Sequence, residues 1–129
     1  MAGALEGILV VTLEQAVAAP LASARLADAG ARVIKLERPE GDFARAYDAF
    51  ALGQSSYFVW INRGKESCTV DLKDPADLAL VRQILAGADV FIQNLAPGQN
   101  KTEDVSSLDD AGDAEIVCTV SSVDRTESL

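Results

Sequence analysis

Five short apolar runs, each about the length of a strand, punctuate this chain. They are Gly7-Ile-Leu-Val-Val-Thr12, Ala31-Arg-Val-Ile-Lys-Leu36, Ser67-Cys-Thr-Val-Asp-Leu72, Asp89-Val-Phe-Ile-Gln93 and Glu115-Ile-Val-Cys-Thr-Val120. Helical patterning fills two of the gaps. Pro20 can open a helix in which Leu21, Arg25, Leu26 and Ala29 recur at helical spacing until Gly30 closes it. Asp74-Pro-Ala-Asp77 supplies an N-cap, a proline at the first helical position and an acid in the first turn. Leu78, Val81 and Leu85 then share one face, and Gly87 stops the helix. Strands that alternate with helices need crossover connections, so the pattern predicts an α/β fold, a Rossmann-like parallel sheet flanked by helices.

The remaining segments are less regular. Residues 37–53 read as loop, with a turn of helix near Phe43–Tyr47. Ser55–Ile61 could be strand or helix, and its leading serines favour a capped helix. A weak helix is expected at Val105–Leu108, and the polar C-terminal end is expected to fray.

The 129 residues suffice for one domain with a sizeable core. Aromatics are only 5%, so Ala, Leu and Val must fill it. The net charge of −9 is uneven: from Gln99 onward eight acids face only Lys101 and Arg125. Residues 1–98 therefore read as the Rossmann-like part and residues 99–129 as an acidic segment with one further strand. Such a balance disfavours nucleic-acid binding. No apolar run is long enough for a membrane span and the start lacks a signal-peptide n-region, so a cytoplasmic location is expected. The absence of histidine excludes His-based triads and the common zinc sites, and no metal is expected. Cys68 and Cys118 are expected to be reduced core residues.

Ligands of open α/β sheets bind beyond the carboxyl ends of the strands. That rule directs attention to Glu14 and Gln15, Glu37 and Arg38, Lys73, and residues 94–98. Arg38 and Lys73 can hold phosphates or stack on a base, Asn94 can bond an amide or carbonyl, and the Pro97-Gly98 turn allows close backbone approach. The plainer expectation is that such residues are solvated turns. Lys35 and Glu37 then read as surface charges, and Asp71 with Lys73, or Lys65 with Glu66, as surface ion pairs. No glycine-rich dinucleotide or triphosphate loop is present, which disfavours a nucleotide-dependent oxidoreductase.

Over residues 4–98 the chain resembles the N-terminal part of the family III (CaiB/BaiF) CoA-transferases. The resemblance rests on Leu5-Glu-Gly-Ile, Gln15…Ala-Pro20, Leu26-Ala-Asp-Ala-Gly-Ala31, and Val33-Ile-Lys-Leu-Glu with Gly41-Asp42 and Arg45. It continues through Tyr57-Phe58, Asn62-Arg-Gly-Lys-Glu-Ser67, Val70-Asp-Leu-Lys73, Ala88-Asp-Val90 and Asn94-Leu-Ala-Pro-Gly98. It implies a fold incomplete relative to the full family and a reaction that moves coenzyme A from an acyl-CoA to a free carboxylic acid. It places Gln15, as an active-site amide, and Ala16 near the thioester, and Arg38 at the adenine end. Val70 and Lys73 are implied to line the nucleotide pocket, Asn94 and Leu95 the pantetheine path, with Gly98 in the same binding set. Itaconate, mesaconate, citramalate or malate are the acceptors it suggests, with succinyl-CoA as donor. It also implies self-association, because family members form interlinked dimers. The family's nucleophilic aspartate lies well downstream, and the chain is expected to stop short of it. None of Asp109, Asp110, Asp113 and Asp124 sits in a matching motif, and only Lys101 stands near the position of a family arginine after the Pro-Gly turn. The chain alone is therefore expected to be inactive, and a non-catalytic CoA-binding or assembly module is the alternative.

Overall fold

The computed structural model describes residues 2–95 and 116–119. In chain order it contains β1 (Leu9–Leu13), α1 (Ala18–Asp28), β2 (Arg32–Glu37), a 3-10 turn (Phe43–Ala46), α2 (Ser56–Ile61), β3 (Lys65–Thr69), α3 (Pro75–Ala86), β4 (Val90–Gln93) and β5 (Ile116–Thr119). All strand pairs are parallel and the sheet runs β3-β2-β1-β4-β5, as the strand–helix alternation predicts. The expected helix at 105–108, the Pro97-Gly98 turn, Gly98 itself and the terminal segment lie outside the described residues.

Local chemistry explains most boundaries. Gly30, at φ +104°, follows α1 and takes the left-handed conformation that ends a helix. Asp74 caps α3 by accepting the Ala76 N–H at 2.8 Å, with Pro75 at the start. Residues 55–61 resolve as helix because the Ser55 hydroxyl accepts the Phe58 N–H at 3.2 Å. The third strand begins two residues before the predicted Ser67 and ends at Thr69. Val70 still donates its N–H to the Glu37 carbonyl at 2.8 Å, but Asp71 turns its N–H to the Asp77 carboxylate, so the chain leaves the sheet there.

Side chains alternate across the sheet. On one face Val11, Leu13, Leu36, Val70 and Phe91 meet Val81, Leu85 and Ala88 from and just beyond α3. On the other, Val10, Val33 and Ile92 pack with Ala19 of α1 and Ala31. Cys68 lies half-buried against the first cluster, whereas Cys118 is exposed on β5, contrary to the expectation that both are core. β5 stands at the end of the sheet, where a strand-like run does not guarantee cover. No helix among the described residues is long and apolar enough to cross a membrane. No group of three or more His, Cys, Asp or Glu there could hold a metal ion.

Candidate functional site

The strand order reverses at β1 and β4, and a ligand crevice is expected beyond their carboxyl ends. A cleft of about 420 Å³ opens along the carboxyl ends of β1, β2 and β3, lined by residues 13–15, 36–42 and 70–73 with Leu95. Five residues singled out from sequence, Gln15, Arg38, Val70, Lys73 and Leu95, meet in its walls. Leu13, Leu36, Val70, Leu72 and Leu95 give it apolar lining, and Arg38 and Lys73 are cations at its rim.

Gln15 and Ala16 form the turn that leaves β1. The Asn94 side chain clamps the first of them: its Oδ1 accepts the Gln15 N–H at 2.9 Å and its Nδ2 donates to the Gln15 carbonyl at 2.9 Å. Asn94 thus spends its amide on the backbone beside the cleft, and it is absent from the cleft lining. Ala16 adopts φ +64°, and its N–H donates to Asp42 Oδ1 at 3.2 Å.

Arg38 donates one N–H, from Nε, to the Gly41 carbonyl at 3.0 Å, which orients the guanidinium and leaves donors for a bidentate anion contact. Lys73 donates its backbone N–H to Asp71 Oδ1 at 2.9 Å, so the expected ion pair between these side chains is replaced by a turn contact. Among the described residues neither Arg38 nor Lys73 pairs with a carboxylate.

Reaching the cleft wall through Glu14, Glu37 and Asp42 is a charge network that the order of residues along the chain does not announce. Lys35 and Glu37, expected on the surface, are buried. Lys35 Nζ lies 2.9 Å from Asp42 Oδ2 and 3.7 Å from Glu14 Oε1. Lys65, expected to pair with Glu66, instead donates to Glu14 Oε1 at 2.7 Å, to the Pro20 carbonyl at 2.8 Å and to Asn62 Oδ1 at 3.0 Å. Glu66 pairs with Arg32 at 2.8 Å on the surface. Ser23 donates to the Glu14 carboxylate. Arg45 forks onto Glu37 at 2.7 and 2.9 Å, and its guanidinium sits 3.8 Å from the Phe58 ring centroid.

Each charge finds a partner, as burial demands. Burial pushes the Glu37 carboxyl up, but hydrogen bonds from Arg45, Ser67 and the Asp42 N–H outweigh it and hold the group at about 2. Burial pushes the Lys65 ammonium down, opposed by the Glu14 carboxylate. A signal for this network was present in the sequence. Lys35, Glu37, Lys65 and Ser67 fall on one face of β2 and β3 by register, and a parallel sheet is normally covered on both faces.

The family model for CoA-transferase family III matches residues 5–110. The chain is 41% identical over 97 residues to mouse succinyl-CoA:glutarate CoA-transferase, covering 74% of this chain and 22% of that protein. It is equally identical over 97 residues to acetyl-CoA:oxalate CoA-transferase of Acetobacter aceti, covering 74% and 25%. It is 37% identical over 101 residues to succinyl-CoA:mesaconate CoA-transferase of Haloarcula hispanica, covering 74% and 26%. The chain thus spans about a quarter of the length of these curated relatives. Among solved structures, a CAIB/BAIF family protein from Brucella suis aligns with a TM-score of 0.80 at 36% identity, over 92% of this chain and 33% of that one.

Proposed function

This chain belongs to CoA-transferase family III, and we propose that it forms the acyl-CoA-binding portion of an enzyme that moves coenzyme A from an acyl-CoA to a small dicarboxylic acid. The observation that carries this reading is the convergence of Gln15, Arg38, Val70, Lys73 and Leu95 on one cleft at the carboxyl ends of the strands. Its chemistry suits the ligand. Two rim cations match the phosphates of CoA, the side chains of Leu13, Leu36, Val70, Leu72 and Leu95 offer apolar contact to the pantetheine arm, and the Gln15 amide can polarise or orient a thioester carbonyl. The three relatives act, by name, on glutarate, oxalate and mesaconate, all dicarboxylic acids. That supports a dicarboxylate acceptor, with itaconate, mesaconate, citramalate and malate as candidates and succinyl-CoA as donor.

In the family reaction that the resemblance implies, the covalent intermediate forms on an aspartate nucleophile. No aspartate of these 129 residues is assigned that role, so the chain is expected to bind acyl-CoA without turning it over. Calorimetric titration of the chain with succinyl-CoA tests this. Binding is expected, with Arg38→Ala and Lys73→Ala each weakening it about tenfold and added salt weakening it further. No heat together with an unchanged melting temperature refutes the reading.

A second reading, an assembly module, is favoured by one surface. Phe43, Tyr47, Tyr57 and Trp60 form an exposed aromatic ladder with ring centroids 6.0–6.3 Å apart, and Leu52 is fully exposed in the loop between them. Apolar patches of this kind favour self-association. Sedimentation that shows a monomer at high concentration removes it.

A further inference from the structure

Ala16 holds a left-handed backbone, at φ +64°, that costs any residue with a side chain. Such strain persists where the surroundings over-determine it. Here Asn94 fixes both backbone polar groups of Gln15, and Asp42, 26 residues away, accepts the Ala16 N–H. The Asp42 side chain is only 1% exposed and both its oxygens are committed. Oδ1 serves the N–H groups of Ala16 and Ala44, and Oδ2 serves Lys35 Nζ at 2.9 Å. Its own N–H donates to Glu37 Oε2, tying it to the second half of the network.

We infer that Asp42 is a positioning residue: anchored by Lys35, its carboxylate locks the Gln15–Ala16 peptide into the left-handed turn that presents Gln15 to the cleft. The link from this lock to an acyl thioester rests on the proposed CoA chemistry; the lock itself does not. Asp42 lines the cleft, but both its oxygens are committed within the protein, and in this assignment it acts through Gln15.

Asp42→Asn tests it with little change of shape. A carboxamide has one acceptor oxygen where Asp42 uses two, so it either takes the acceptor from the two N–H groups or sets an NH2 against the Lys35 ammonium and loses the anchor that holds it to the turn. In the ligand-free chain, amide exchange at Ala16 is expected to accelerate at least about tenfold, while β1 and β2 core amides stay within about twofold. Unchanged exchange at Ala16, or equal acceleration across the sheet, overturns the inference.

Binding supplies a second readout. Asp42→Asn is expected to lose about tenfold in affinity for succinyl-CoA while keeping affinity for an adenosine bisphosphate without the pantetheine arm. Adding Ala16→Gly should regain most of the loss, because glycine takes the left-handed conformation freely. Equal loss toward both ligands, or no rescue by glycine, overturns the inference. A wild-type chain that binds neither ligand refutes the CoA reading instead, and amide exchange still decides the lock.

Discussion

Removing the charge at Glu37 should abolish a specific part of the acid sensitivity of this chain. The Glu37 side chain is 4% exposed and accepts hydrogen bonds from Arg45, Ser67 and the Asp42 N–H. These hold its carboxyl at about 2 against an ordinary value of 4.5. A carboxyl depressed in the folded state stabilises the fold at pH values above the unfolded value, and that contribution disappears as pH falls toward the folded value. The gap between the two corresponds to about 3 kcal/mol at neutral pH, of which about 1 is lost by about pH 4 and about 2 by about pH 3. Urea unfolding followed through the single Trp60, for wild type and Glu37→Gln at each pH, isolates this term. The stability advantage of the wild type should shrink by about 2 kcal/mol between about pH 7 and about pH 3. A difference that stays constant over that range would refute the argument, since it would mean that Glu37 binds protons alike in both states.

Three further perturbations probe the same architecture. Lys65→Met leaves Glu14 buried beside a lost partner and should cost about 3–5 kcal/mol, seen as a fall in melting temperature of at least about 10 °C. Adding Glu14→Gln should recover part of that loss, and a single variant that melts like wild type would show that the Glu14–Lys65 contact is dispensable. Gly41→Ala places a side chain at φ +79°, with its Cβ 3.2 Å from Arg45 Cδ. It should cost about 1–2 kcal/mol in denaturant unfolding, and an unchanged midpoint would argue that the loop relaxes. Arg45→Met removes both the fork onto Glu37 and the contact with Phe58. It should raise the Glu37 carboxyl toward its ordinary value, which a carboxyl-carbon NMR titration reads directly.

The two halves of the cleft are unequally legible in the sequence. Arg38, Lys73 and Gln15 stand out from position alone, because strand ends in a parallel sheet are where ligands bind and polar residues follow each apolar run. Asn94 stands out by the same rule as a residue able to bond an amide or carbonyl, and the groups it bonds belong to the backbone of Gln15. Its amide spans the β1–β4 gap to hold Gln15, a contact between residues 79 apart in sequence. Lys35, Glu37 and Lys65 look like surface charges along the chain, since charged residues are seldom buried without partners and the partners here are mostly distant in sequence.

By itself, the order of apolar runs, caps and glycines determined an α/β chain, where α1 stops, where α3 starts and stops, and which residues share a face of each strand, whereas α1 begins at Ala18, two residues before Pro20. These depend on neighbours a few residues away, through period and capping. Only the tertiary structure decided what covers each face. With Pro20 of α1 over Lys65 and Phe58 of α2 over Lys35, charges that alternation would leave in water became a buried, paired network that reaches the cleft wall. The same packing brought Asp42 to the turn of Ala16. Period alone tells which side chains stand together; burial depends on what the rest of the chain lays over them.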